Sequence, residues 1–91
     1  MTITRNIPIP SESGWVLIAR GCEHTKAIVQ MASAGAVIMT VGQNAPPSDS
    51  DDGFVLQGER QTSHPVMLDA ADALFVKCWD NEDEEVVLMA S

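Results

Sequence analysis

Residues 73–90 read ALFVKCWDNEDEEVVLMA, and this stretch decides the fold class. In its first part the residues alternate, so Leu74, Val76 and Cys78 share one face of a predicted strand at 73–79. Lys77 indicates that the opposite face is the wetter one. An acidic turn at 80–84 follows, and the next predicted strand, 85–90, is apolar on both faces. That pattern is typical of an inner strand or of a strand covered by a partner.

The same pattern of short apolar runs between turn residues continues along the rest of the chain. The other predicted strands are 15–19, 25–31, 36–41, 54–57 and 64–68. The run 15–19 is also apolar on both faces, which again favours an inner or covered strand, whereas 69–74 favours a turn that enters a strand. Such short, regularly spaced runs predict an all-β fold, a small single-domain antiparallel β-sandwich or barrel of about 7–8 short strands.

The first ten residues form a segment of a different kind, ending in IPIP. Pro8 and Pro10 hold the chain extended and remove two backbone donors. This suits either an edge strand or an arm on a neighbouring subunit. We therefore predict an extended N-terminal arm at 1–10 and one β-sandwich domain at 11–91. The candidate contacts with other subunits or a shell are Ile3, Ile7, Pro8, Ile9, Pro10, Pro46 and Pro47.

Composition limits the classes of partner. The 91 residues carry thirteen acids and five Lys or Arg, for a net charge of −8. Because phosphate binding needs clustered basic side chains, nucleic acid and anionic membrane surfaces are not expected partners. Cys22 and Cys78 stand far apart without metal-ligand spacing, so free thiols in a cytoplasm are favoured over one disulfide. No signal-peptide pattern opens the sequence.

The loop at 42–53 contains Asp49, Asp51 and Asp52 and invites a comparison with calcium loops. An EF-hand requires glycine at position 6 and a bidentate Glu at position 12. Here Gly53 comes one position early and Arg60 stands at position 12. We therefore expect a solvated connection that crosses between sheets, with a different type of calcium site as the remaining alternative.

Catalytic chemistry is not indicated elsewhere. The run DNEDEE at 80–85 is expected to be an exposed hairpin turn, which disfavours acid–base catalysis. Cys22 and His24 would point the same way if they lay on a strand, but a turn is the simpler interpretation. With His64 and Cys78 they match no familiar zinc spacing. We expect no enzyme activity, no catalytic residue, no cofactor and no metal.

Three segments carry a resemblance to a known family: SGWVLIARG, AIVQMASAGAVIMTVGQNAPPSDSDDGFVLQGER and DAADALFVKCW. Their order resembles that of small β-rich proteins encoded in the structural gene clusters of tailed phages and prophages. The shared features are an early Gly-Trp strand, a strand that ends in Val-Gly, an Ala-Pro loop and a Gly-Glu turn. The resemblance covers roughly residues 11–90.

The resemblance implies a virion component without enzymatic activity. A capsid decoration (cement) protein would fit, made in the host cytoplasm and placed on the outer surface of the capsid. It would form a homo-oligomer, either a dimer or a trimer, and would bridge subunits of the major capsid protein. Two alternatives remain: a tail, baseplate or fibre adaptor, and a calcium- or carbohydrate-binding β-sandwich module that uses Trp15 or Trp79 for stacking.

Overall fold

The computed structural model describes residues 3–12, 14–33, 35–47, 53–57, 63–79 and 82–91. The described residues form eight strands and no helix. The strands are β1 (Ile3–Ile9), β2 (Val16–Arg20), β3 (Lys26–Met31), β4 (Ala36–Gly42), β5 (Phe54–Gln57), β6 (Ser63–Met67), β7 (Ala73–Cys78) and β8 (Glu84–Ala90). The prediction of an all-β fold is confirmed.

The strands form two four-stranded antiparallel sheets with a nested order. Sheet A has the order β1-β8-β3-β6 and sheet B has the order β2-β7-β4-β5. The first strand thus pairs with the last, the second with the seventh, the third with the sixth and the fourth with the fifth. An eight-stranded double sheet with this nested pairing is a jelly roll.

The core lies between the two sheets, where alternate side chains of the paired strands meet. Sheet A contributes Ile9, Ala27, Val29, Met31, Val86, Leu88 and Ala90. Sheet B contributes Ile18, Val37, Met39, Leu56, Leu74, Val76 and Cys78. In β7 the face that carries Leu74, Val76 and Cys78, which alternation predicted to be the drier one, therefore faces the core.

The positions of individual strands correct several expectations. The strand β8 lies between β1 and β3, so its prediction as an inner strand is confirmed. The strand β2 is instead an edge strand of sheet B, where Leu17 is exposed. The prediction of a hairpin turn at 80–85 is wrong, because β7 and β8 belong to different sheets. Conversely, the connection after β4 does not cross between sheets, since β4 and β5 pair with each other.

The predicted N-terminal arm contains the edge strand β1. It pairs with β8 from Ile3 opposite Ala90 to Ile9 opposite Glu84. The side chain of Ile9 is fully buried, and Ile3 and Ile7 pack against the core. Of the two alternatives for this segment, the structure has the edge strand.

The outer face of sheet B has a small apolar layer of its own. Ile38 and Phe75 point away from the main core, yet they are only 1% and 7% exposed. Trp15 lies on this side, because Lys77, which neighbours both residues, places its Nζ 5.2 Å from the centre of the Trp15 ring. The Trp15 indole Nε1–H also donates a 3.2 Å hydrogen bond to the Pro47 carbonyl. The start of the long β4–β5 connection is thereby tied to the outside of sheet B.

The acidic run at 80–85 extends into β8, and its described residues are not all exposed. Glu84 is 6% exposed and is the one buried charged residue among those described. It occupies the same row as Val86, Leu88 and Ala90, which face the core. The Ser33 hydroxyl donates to the Glu84 carboxylate, and its oxygen accepts a 3.2 Å hydrogen bond from the Glu85 backbone N–H. The expectation of exposure is wrong at this position. Glu84 already belongs to β8, and the alternation of that strand turns its side chain towards the core although its neighbours are acidic.

Candidate interaction surface

The candidate contact residues fall into three groups. Ile9 is fully buried in the chain's own core, and Ile3 and Ile7 are half-buried against it. Pro8 and Pro10 are exposed. In the β4–β5 connection Pro46 is half-buried and Pro47 is exposed. In this structure the prolines, but not Ile9, present side chains that another subunit could reach.

The candidate metal and nucleophile residues are not brought together. Cys22 is exposed in the turn after β2, whereas Cys78 is buried in β7, where its Sγ lies 2.8 Å from the Ile9 carbonyl oxygen. His24 follows the same turn as Cys22, and His64 lies in β6. No group of three His, Cys, Asp or Glu among the described residues could hold a metal ion. The aspartates at 49, 51 and 52 lie outside the described residues, so the calcium alternative stays a prediction.

The outer face of sheet A carries an apolar surface that the sequence reasoning did not single out. Ile28 in β3 lies opposite Pro65 in β6 and Met89 in β8, and Met67 lies one step along β6 on the same face. We call these four residues the sheet A patch. Ile28 is 38% exposed and Met67 is 71% exposed. The four residues of the patch line a groove of about 420 Å³, and Lys26 is part of the same lining.

The apolar surface continues towards the gap between the sheets. Phe54 of β5 is 64% exposed, and its ring centre lies 5.2 Å from that of His64 in β6. A second groove of about 230 Å³ runs past this ring pair to Met67. Here β5 and β6 are each an edge strand of their sheet, and edge strands are common sites for pairing with another chain.

Period-two alternation could have revealed the sheet A patch. Lys26, Ile28 and Gln30 share a face, as do Pro65 and Met67, and both are the outward rows. What the sequence does not give is the pairing of β3 with β6 and β8, which converts isolated apolar residues into one surface. Contiguous exposed apolar surface in a small protein commonly marks an interaction site.

No helix of the described residues has the length and apolar character needed to cross a membrane. The chain was also compared with protein-family models, with curated proteins and with solved structures, and none of the three comparisons gave a match.

Proposed function

We propose that this protein is a non-enzymatic structural subunit, a capsid decoration protein of a tailed phage. It forms a homo-oligomer and binds the outer surface of the major capsid shell. The observation that carries the proposal is the sheet A patch, whose Met67 side chain is 71% exposed. A chain of 91 residues has a thin core, and covering such a patch adds the burial that the monomer lacks.

Two further features support the proposal. The sequence resemblance to small β-rich phage structural proteins spans most of the chain. Eight-stranded jelly rolls are also used in viral capsid domains, although lectin domains and cupins share the architecture. This second argument is a fold-level analogy, and a fold by itself does not define a function. The interface is therefore the feature to test.

The test of assembly is light scattering during size-exclusion chromatography. We expect the wild-type protein to elute as a dimer or trimer. Met67→Glu places a charge in the sheet A patch and should shift the protein to the monomer. Gln57→Glu is the matched control, because it makes the same charge change at an exposed position of sheet B. A monomeric wild type, or equal oligomerisation of Met67→Glu, would contradict assembly through this patch.

The test of the decoration role is co-sedimentation with expanded capsids that lack the protein, from the phage or prophage that encodes it. We expect binding to heads and a higher temperature of capsid disruption, since many weak contacts add up over a lattice. Binding to tails and not to heads would instead favour the adaptor alternative. Failure to bind either particle would refute the virion role.

A further inference from the structure

A cavity of about 190 Å³ lies where β1 and β2, the edge strands of the two sheets, approach each other. Its polar lining comes from Arg5, Arg20, Glu23 and His24. Its apolar lining includes Ile3 and Leu17. The volume is several times the ~30 Å³ that a water molecule occupies in the liquid. The cavity therefore has room for a small polar group.

Strand phase explains why a guanidinium group lies here. Arg5 belongs to the same row of β1 as Ile3, Ile7 and Ile9, the row that faces the core. Since β1 is the edge of sheet A, a long polar side chain in that row reaches the gap beside β2 without entering the core. Arg5 is accordingly exposed, while Ile9 on the same row is fully buried.

The other polar groups are held by a tight turn after β2. Arg20 is the last residue of β2, and its carbonyl accepts hydrogen bonds from the backbone N–H groups of Glu23, at 3.1 Å, and His24, at 3.0 Å. The Gly21 N–H donates to the Asp72 carbonyl at 2.7 Å. A Cβ at Gly21 would collide with the Asp69 carbonyl oxygen, so the turn packs directly against the 69–72 turn. The cavity wall is thus preorganised by backbone contacts.

The charge of the cavity is opposite to that of the protein. Two of the five Lys and Arg residues and one of the two histidines line it, in a chain with a net charge of −8. Among the described residues neither Arg5 nor Arg20 has an ion-pair partner within 4.0 Å. Glu23 is the one acidic residue of the lining and offsets part of the positive charge. Within the part of the chain that the structure describes, both guanidinium groups are therefore open to a ligand.

His24 also lines the cavity. Its Nδ1 atom is shielded from solvent and has no hydrogen-bond partner among the described residues. Because a group the size of water does not reach this atom, the imidazole belongs to the wall of the cavity and not to the groups that contact a ligand.

We propose that this cavity is a binding site for a small oxyanion, a phosphate, sulfate or carboxylate group. The Arg5 and Arg20 guanidinium groups would bind its oxygens, because their planar forks match oxyanion geometry. The site is independent of the sheet A patch and of the proposed role in a capsid.

The test uses the purified protein and follows backbone amide resonances by NMR during titration with sodium phosphate at constant ionic strength. We expect saturable shifts in residues 18–24. Arg5→Gln or Arg20→Gln should each weaken binding roughly tenfold, since each removes a charge-assisted contact. Lys26→Gln is the matched control, because it removes one positive charge from an exposed position outside the cavity. Parallel titrations with sulfate and acetate identify which oxyanion binds.

Because both arginines are exposed, their substitution should leave the melting temperature without anion unchanged, which separates loss of binding from loss of folding. Shifts that do not saturate with any of the three anions would overturn the proposal. So would binding that survives in the double variant Arg5→Gln/Arg20→Gln, or that falls equally in Lys26→Gln.

Discussion

At the scale of single residues, Gly21 shows how close backbone contact fixes a residue type. Its N–H bonds to the Asp72 carbonyl, and its α-carbon lies so close to Asp69 that no side chain fits. Two turns that are far apart in the sequence are therefore joined through their backbones. Any side chain at this position must push the turns apart.

We predict that Gly21→Ala lowers the free energy of unfolding by about 1–3 kcal/mol, the usual cost of forcing extra atoms into a packed site. For a domain of this size each kcal/mol lowers the melting temperature by roughly 4–8 °C. Circular dichroism melting measures the effect. Gly42→Ala is the control, because its Cβ would meet nothing closer than the Asn44 carbonyl oxygen at 3.9 Å. Equal melting temperatures for the two variants would contradict the packing described for Gly21.

Ser33 gives a second prediction at this scale. Its hydroxyl donates to the buried Glu84 carboxylate and accepts from the Glu85 N–H, so Ser33→Ala removes two hydrogen bonds. We expect the free energy of unfolding, measured in urea, to fall by about 1–3 kcal/mol. Ser11→Ala should be nearly neutral, because the hydrogen bond of Ser11 to Asp83 uses its backbone N–H. A neutral Ser33→Ala would show that the Glu84 carboxylate does not depend on this hydroxyl.

At the scale of the elements, alternation predicted which faces are buried but not which strands are neighbours. The row of Leu74, Val76 and Cys78 follows directly from the period of a strand. For strand β2 the apolar residues on both faces left two alternatives, an inner strand or a strand covered by a partner, and its position at the edge of sheet B rules out the first. The basic cavity was missed for a related reason. Arg5 and Arg20 line the same cavity because β1 and β2 lie at the same edge of the two sheets, and no local sequence pattern carries that information.

The two tryptophans give a prediction about sheet B. Trp15 ties the β4–β5 connection to the outer face through Pro47 and lies under the Lys77 ammonium group, whereas Trp79 is 45% exposed. We expect Trp15→Ala to lower the free energy of unfolding in urea by about 1–3 kcal/mol, because it removes the hydrogen bond to Pro47 and the contact with Lys77. Trp79→Ala should cost less than about 1 kcal/mol. The reverse order of the two costs would be inconsistent with the placement of Trp15.

At the scale of the whole molecule, β1 pairs with β8 and forms the outermost pair of the nested order. If β1 is part of the fold and not an accessory arm, its removal should unfold the protein. We predict that a chain starting at Pro10 is largely unfolded in circular dichroism. It loses Ile9, which is fully buried, together with Ile3 and Ile7, and one buried aliphatic side chain stabilises by about 1.5–3 kcal/mol. The total free energy of unfolding of a small domain is only about 5–15 kcal/mol, so these losses remove a large part of it.

The control for this deletion is Pro8→Ala, an exposed position of β1, which should keep the wild-type melting temperature. If the truncated chain melts cooperatively at the wild-type temperature and loses only its ability to assemble, residues 1–9 act as an arm and not as part of the fold.

The nested order also has a consequence for how the chain reaches this structure. Only β4 and β5 are both consecutive in sequence and adjacent in a sheet, so theirs is the pair with the lowest entropy cost of loop closure. Once they are joined, β3 and β6 are brought near each other, then β2 and β7, and finally β1 and β8. Closure from the inside outwards avoids the cost of joining the two ends of an open coil, although the many non-local contacts still favour folding in milliseconds to seconds. The connection at 43–53, where a metal site was first considered, thus joins the two strands that we expect to pair first.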